Sequence, residues 1–165
     1  MIPFAYPEHP QVRRHGPKGY GQPASFRPWL RDEFSFRCVY CLRREQWDRA
    51  TSLEVEHFLP SRRFPNQRLA YDNLWFACSR CNSAKGDRLI DDPSQALLSH
   101  EVIVESDGQI IGRSAEARRI IQALRLNSAE AIHYRRLWIE ITAMAKQFAP
   151  DLLLELMGFP EDLPD

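Results

Sequence analysis

Four cysteines stand in two Cys-x-x-Cys pairs, Cys38/Cys41 and Cys78/Cys81, and none is left over. Two cysteines three apart can both face one ion while backbone N–H groups support their sulfurs, so each pair reads as a knuckle of a tetrahedral zinc site. Four thiolates leave no position for water, which makes such a metal structural. Disulfides and a redox dithiol are the rival uses of these thiols. Disulfides need an oxidising compartment, and two pairs bracketing one segment do not suggest redox work. Thirty-six residues separate Cys41 from Cys78, so the knuckles clamp an inserted unit at both ends.

Inside that clamp lies Glu56-His57, followed by Asn73 sixteen residues later and Asn82 nine further on, directly after the last cysteine. Histidine titrates nearest neutrality and can take a proton from water. A carboxylate beside it can ligate a divalent cation. The arginines around the motif (Arg62, Arg63, Arg68, Arg80 and Arg88) could grip a phosphate backbone, or form ion pairs with Asp72 and Asp87 at the surface.

These residues need elements to hold them. Leu53 to Leu59 has β-branched and aromatic residues with some alternation, which predicts a strand ending near His57 or Phe58 and stopped by Pro60. Residues 61–73 form a loop, Leu74–Ala77 a short buried strand or turn, and Asn82–Lys85 begins a helix ended by Gly86. Ser25 is expected to cap a helix with Pro28 in its first turn, burying Phe26, Trp29, Leu30 and Phe34. Further on, Val102–Val104 and Ile110–Ile111 flank an Asp107-Gly108 turn and read as a hairpin. Ser114 caps one helix, and Asn127 or Ser128 caps another, with Ala131, Tyr134, Trp138, Ile141, Ala145 and Phe148 as its apolar stripe. Pro150 breaks that helix, and Asp151–Met157 is a last one, stopped by Gly158.

The organisation expected is an extended Pro/Gly-rich arm over 1–25, a core over 26–100, and a hairpin with helices over 101–165 packed on the core. The arm, with Arg13, Arg14, His15 and Lys18, either lies on the domain or reaches toward nucleic acid. With 44% hydrophobic residues the chain is globular rather than disordered. Its longest apolar runs fall far short of the roughly 18 residues that span a bilayer, so no membrane partner is expected. The start lacks a basic region followed by an apolar run, so no signal peptide is read and the cytoplasm is the expected compartment. Net charge is zero, but residues 1–92 carry 15 Lys/Arg against 11 Asp/Glu and residues 93–165 carry 7 against 11. Nineteen of the 22 basic residues are arginine, which suits planar contacts to phosphate in the first part.

The combination Cys38-x-x-Cys41, Glu56-His57-x-x-Pro60, Asn73-Leu74, Cys78-x-x-Cys81-Asn82-x-x-Lys85 resembles the HNH endonuclease family, the ββα-metal nucleases. The resemblance covers Cys38 to about Gly86. It implies an α+β fold: two antiparallel strands and a helix around one divalent ion, here stapled by the four-cysteine zinc site and followed by the hairpin and helices. It implies His57 as general base, Asn73 as the residue that holds the histidine-bearing strand and loop, and Asn82 and Glu56 as ligands of the catalytic cation. Lys85, one turn beyond Asn82, would touch the substrate phosphate. Glu56 stands where the family more usually has Asp or His, and Asn82 where a histidine is often found. A Glu/Asn oxygen set suits Mg²⁺ or Mn²⁺ better than zinc or nickel.

The activity so implied is hydrolysis of a DNA phosphodiester, with RNA the other polymer these residues would accept. Two other readings are a catalytically silent, zinc-stapled nucleic-acid-binding module and a nuclease subunit active only with a partner protein. The C-terminal helices offer the surface for such a partner or for a homodimer.

Overall fold

The structure is a computed structural model and describes residues 2–47 and 53–159. Three acids of the C-terminal tail, Glu161, Asp162 and Asp165, lie outside the described residues. The chain forms two compact units, residues 11–90 and residues 2–10 with 91–159. Among the described residues it is an α+β fold with two small two-stranded sheets.

In the unit of residues 11–90, Pro23–Phe26 makes a 3-10 turn that runs into α1 (Arg27–Glu33). Ser25 lies inside this turn, its N–H donating to Gln22 O, and makes no side-chain cap; Pro23, with φ already fixed, starts the turn earlier than the serine would. Phe26, Leu30 and Phe34 are buried as the helical spacing requires, while Trp29 is only half-buried. The first knuckle follows. Cys38 N–H donates to Arg43 O and Leu42 N–H to Cys38 O, with Leu42 in the left-handed region at φ 58°. Val39 N–H donates to Phe76 O and fastens the knuckle to the sheet.

Strand β1 (Leu53–His57) pairs antiparallel with β2 (Leu74–Cys78), matching Glu56 with Trp75 and His57 with Leu74. All five β2 residues are buried. Helix α2 (Ser79–Lys85) then returns along β1. It starts three residues before the expected Asn82, because the Cys78 sulfur accepts the Cys81 N–H and serves as its N-cap. Gly86 ends it at φ 54°, a conformation costly for any side chain. Successive strand residues point to opposite faces. Glu54 and Glu56 therefore share the face of β1 that α2 covers.

In the other unit a short helix α3 (Pro93–Ala96) precedes the hairpin of β3 (Val102–Val104) and β4 (Ile110–Gly112). Gly108 turns the hairpin at φ 89°, and a Cβ there would stand 2.4 Å from Ile132 O. Ser114 caps α4 (Ala115–Ala123), and Ser128 rather than Asn127 caps α5 (Ala129–Phe148). Asn127 is used instead as a clamp, accepting Ile110 N–H at 2.9 Å and donating to Ile110 O at 2.7 Å. The buried stripe of α5 is Ala131, Arg135, Thr142 and Ala145. Phe148, expected in that stripe, is 72% exposed. The stripe is rotated because Arg135 is drawn inward: its guanidinium donates to Gly108 O and Asn127 Oδ1 and so ties α5 to the hairpin turn. Pro150 opens α6 (Pro150–Met157). Among the described residues no helix is long and apolar enough to cross a membrane.

Candidate active site and metal centre

The four cysteine sulfurs lie within 4.8 Å of one another, all buried, with Cys41 Sγ 3.7 Å from Cys78 Sγ. Four sulfurs held about 2.3 Å from one zinc ion would be spaced at roughly 3.8 Å along each tetrahedral edge. The cluster thus has the size and donor chemistry for a tetrahedral metal such as zinc. Hydrogen bonding from Cys38, Cys41 and Cys81 drives the Cys78 thiol far below its ordinary range, whereas burial pushes Cys38 well up. Metal binding takes the thiolate form of these side chains.

His57 ends β1, half-buried. Its Nε2 is 3.1 Å from Arg68 O. A carbonyl only accepts, so Nε2 carries a proton, and the Nδ1 of the neutral ring keeps its lone pair. The segment after β1 is held by Asn73. Its Oδ1 accepts Leu59 N–H at 2.7 Å, and its Nδ2 donates to Leu59 O and Gln67 O, both at 3.1 Å. Asn73 O also accepts Phe58 N–H. One buried side chain thus fixes both ends of the loop that delivers Arg68 to His57.

On the α2 side, Lys85 and Glu56 form an ion pair of 2.6 Å in which the two side chains are 1% and 2% exposed. Lys85 Nζ donates as well to His57 O at 2.7 Å. The second Glu56 oxygen accepts Tyr40 O–H at 2.8 Å. Burial, and then the Glu56 charge, push the Tyr40 phenol well up, so it stays protonated and donates. Glu56 therefore sits in a closed pair and not at the open ligand position read from the motif. Lys85 is buried against that pair and does not face outward toward a phosphate. Both differences have one cause: α2 runs along β1 and carries Lys85 directly over Glu56.

Asn82 Nδ2 donates to Glu54 Oε2 at 3.0 Å, and both residues are partly accessible. Glu54 was not singled out in the sequence, although strand alternation puts it on the face shared with Glu56. Tyr40 was missed too; it lies inside the first knuckle with no spacing signal of its own. Of the arginines, Arg62 is 86% exposed and 3.5 Å from Asp87. Arg63 is exposed and Arg80 half-buried. Arg88 donates to Ala84 O and Lys85 O and closes the end of α2. Arg68 is held by Gln22 Oε1 at 3.0 Å.

Residues 38–88 match the family model of the HNH endonuclease. This segment is an HNH domain. The matched stretch opens on Cys38 and runs through both knuckles, β1, β2 and α2, so the HNH domain coincides with the zinc-type cluster and the His57 strand end. Over 109 residues the chain is also 29% identical to the Septu protein PtuB of Bacillus thuringiensis. That alignment takes in 62% of this chain and 41% of the relative, well under half of the relative's length.

Proposed function

We propose that the HNH domain is a metal-assisted endonuclease acting on DNA, with His57 as general base. The observation that carries this reading is the Arg68 carbonyl on His57 Nε2, which leaves Nδ1 as the proton acceptor. A water oxygen attacks phosphorus, its proton passes to His57 Nδ1, and the bond from phosphorus to the 3′ oxygen breaks; the departing 3′ oxygen takes a proton from solvent water, leaving 5′-phosphate and 3′-hydroxyl ends. Asn73 keeps the ring and its loop in place. Arg62 and Arg63, both exposed and a few residues after His57 in the chain, would grip the phosphate backbone without reading bases.

The oxygens of β1 and Asn82 fit a hard cation such as Mg²⁺ or Mn²⁺, and the four sulfurs fit zinc. When bound, the hard cation stabilises charge on the phosphate and on the leaving oxygen. The zinc would be structural. The test is plasmid nicking with Mg²⁺ or Mn²⁺, with EDTA, and with His57→Ala. Cleavage that stops with EDTA and with His57→Ala is expected; cleavage undiminished by His57→Ala would remove the assigned base, and cleavage of RNA alone would change the substrate.

A second reading, a nuclease subunit that needs a partner protein, is favoured by the C-terminal unit. Leu137, Met144, Phe148, Leu152 and Leu154 are all exposed large apolar residues on α5 and α6. Absence of cleavage by the isolated chain, restored by a co-purified protein, would select it.

A further inference from the structure

We propose that the open loop of residues 16–21 is a subsite for unpaired DNA beside His57, with Lys18 and the loop N–H groups on a phosphate and Tyr20 stacked on a base. This rests on the nuclease reading above and says where its strand is held.

The N-terminal arm is fastened on both sides of this loop. Before it, the buried Glu33 carboxylate accepts Arg14 N–H at 2.7 Å and His15 N–H at 3.1 Å. The His15 ring reaches Asp32 at 2.6 Å and stands edge-on to Trp29. After the loop, Gln22 Oε1 accepts Arg68 Nη2–H at 3.0 Å. Arg68 is also the residue whose carbonyl holds the His57 ring. The end of the loop is therefore one arginine side chain away from His57.

Between these anchors the backbone is open. Among the described residues no backbone N–H or C=O of 16–21 is hydrogen-bonded. Gly16, Gly19 and Gly21 have open space where a Cβ would stand, so no side chain of theirs screens the neighbouring N–H groups. Uncovered N–H groups and a lysine are donors that suit a phosphate. Residues 9–31 carry five Lys/Arg and no Asp/Glu. Four of the five are used within the protein: Arg13 on Leu74 O, Arg14 on Asp32, and Arg27 and Arg31 on Glu45. The fifth, Lys18, is exposed and pairs with no carboxylate among the described residues.

Tyr20 gives the loop an aromatic surface. Its hydroxyl accepts Trp29 Nε1–H at 3.1 Å, and its ring stands at 90° to that of Phe26, with centroids 4.9 Å apart. At that angle Phe26 covers at most one face of the ring, and Tyr20 is 36% exposed. A ring so braced has little rotamer freedom left to lose on binding. Bases offer their faces to a side chain when they are not stacked in a duplex, which selects an unpaired strand.

Fluorescence anisotropy with a labelled single-stranded DNA oligonucleotide and with its duplex tests this, on the full zinc-loaded chain without added Mg²⁺ or Mn²⁺. The parent is expected to bind the single strand more tightly. Tyr20→Leu should weaken single-strand binding about 10-fold, the size of losing one stacked base, and Tyr20→Phe, which keeps the ring, should stay within about threefold of the parent. Lys18→Ala should weaken binding and lower the slope of log K against log salt by about 0.7, one phosphate on a single strand. Lys146→Ala, the same charge change on α5, should leave affinity and slope unaltered. Zinc content and circular dichroism confirm folding of each variant. Binding by Tyr20→Leu and Lys18→Ala equal to the parent's would overturn the proposal. So would equal losses in Tyr20→Phe and Tyr20→Leu, equal losses in Lys146→Ala and Lys18→Ala, tighter binding of the duplex, or no DNA binding by the parent. Cleavage assays on plasmid and on the single strand keep the two readings apart. A parent that binds through Tyr20 and Lys18 yet cuts nothing supports the subsite and removes the nuclease. A parent that cuts while both variants bind as it does removes the subsite and keeps the nuclease.

Discussion

Lys85 reaches from α2 to Glu56 and to the carbonyl of His57, at 2.6 and 2.7 Å, and lies 1% exposed. The ammonium therefore joins the helix to the last residue of β1. His57 is held on its backbone by Lys85 and on its ring by Arg68 O, from two different elements. The buried charge is tolerable because Glu56, Tyr40 and the carbonyl surround it with acceptors and a donor chain.

Breaking that pair on one side should be severe. Lys85→Met leaves an uncompensated buried carboxylate and is expected to cost about 3–5 kcal/mol. The double variant Glu56→Gln/Lys85→Met should recover most of that loss, since neither charge remains. Urea denaturation of the three proteins measures the coupling. Equal losses in single and double variants would contradict it.

Zinc removal should unfold the HNH domain and not merely silence it. Metal analysis of the purified protein is expected to give about one zinc ion per chain, lost in Cys38→Ser. Chelation should abolish the far-UV signal of β1, β2 and α2 together, and readdition of zinc to the reduced protein should restore it. Retention of the folded signal in a metal-free sample would show that the cysteines pack as a simple thiol core.

Asn73→Ala removes three side-chain hydrogen bonds to the loop around Leu59 and Gln67. The expected loss of stability is about 2 kcal/mol, because the partners left behind are largely enclosed. If His57 is the base, nicking should fall more steeply, on the order of 100-fold, since a small displacement of its ring would misalign the proton acceptor. A variant as active as the parent would mean that Arg68 O alone positions the ring.

Alkaline stability should depend on Tyr40. Its pKa is raised in the folded protein by burial and then by Glu56. A group raised on folding contributes stability that is complete below its unfolded pKa of about 10 and is lost as the pH climbs above it. Tyr71, raised by burial and then by Glu33, acts in the same direction. Urea midpoints followed from about pH 8 to about pH 11 should therefore fall, and fall less steeply in Tyr40→Phe. Parallel curves for the two proteins would refute the assignment.

Much of this was legible in the residues. The cysteine spacing located the four-sulfur cluster, and the alternating β-branched and aromatic residues of Leu53–Leu59, stopped by Pro60, located β1. The Asp107-Gly108 turn and the serines at 114 and 128 marked the hairpin and two helix starts, because each is a local rule with a local cause. Three things were not legible. The start of α2 depends on a cysteine sulfur acting as cap, which no helix-start pattern contains. The buried face of α5 turned on Arg135, a residue that any apolar count assigns to solvent, reaching the Gly108 carbonyl 27 positions away. The fates of Glu56 and Lys85 depended on the angle at which α2 crosses β1, and two oppositely charged side chains in a sequence do not say whether they will meet in a dry interior.

The Cys78 sulfur has two duties, and they would couple the filling of the cysteine cluster to any cation held at Asn82. It belongs to the four-sulfur cluster and it caps α2, the helix that carries Asn82 one residue past Cys81. Ordering this first helical turn is therefore part of the free energy of filling the cysteine cluster. Whatever that turn contributes to holding a second cation at Asn82 must appear, by reciprocity, as tighter retention of the first. Soft-metal starvation would then act as negative regulation of hard-metal affinity, through one helical turn and without any change at His57.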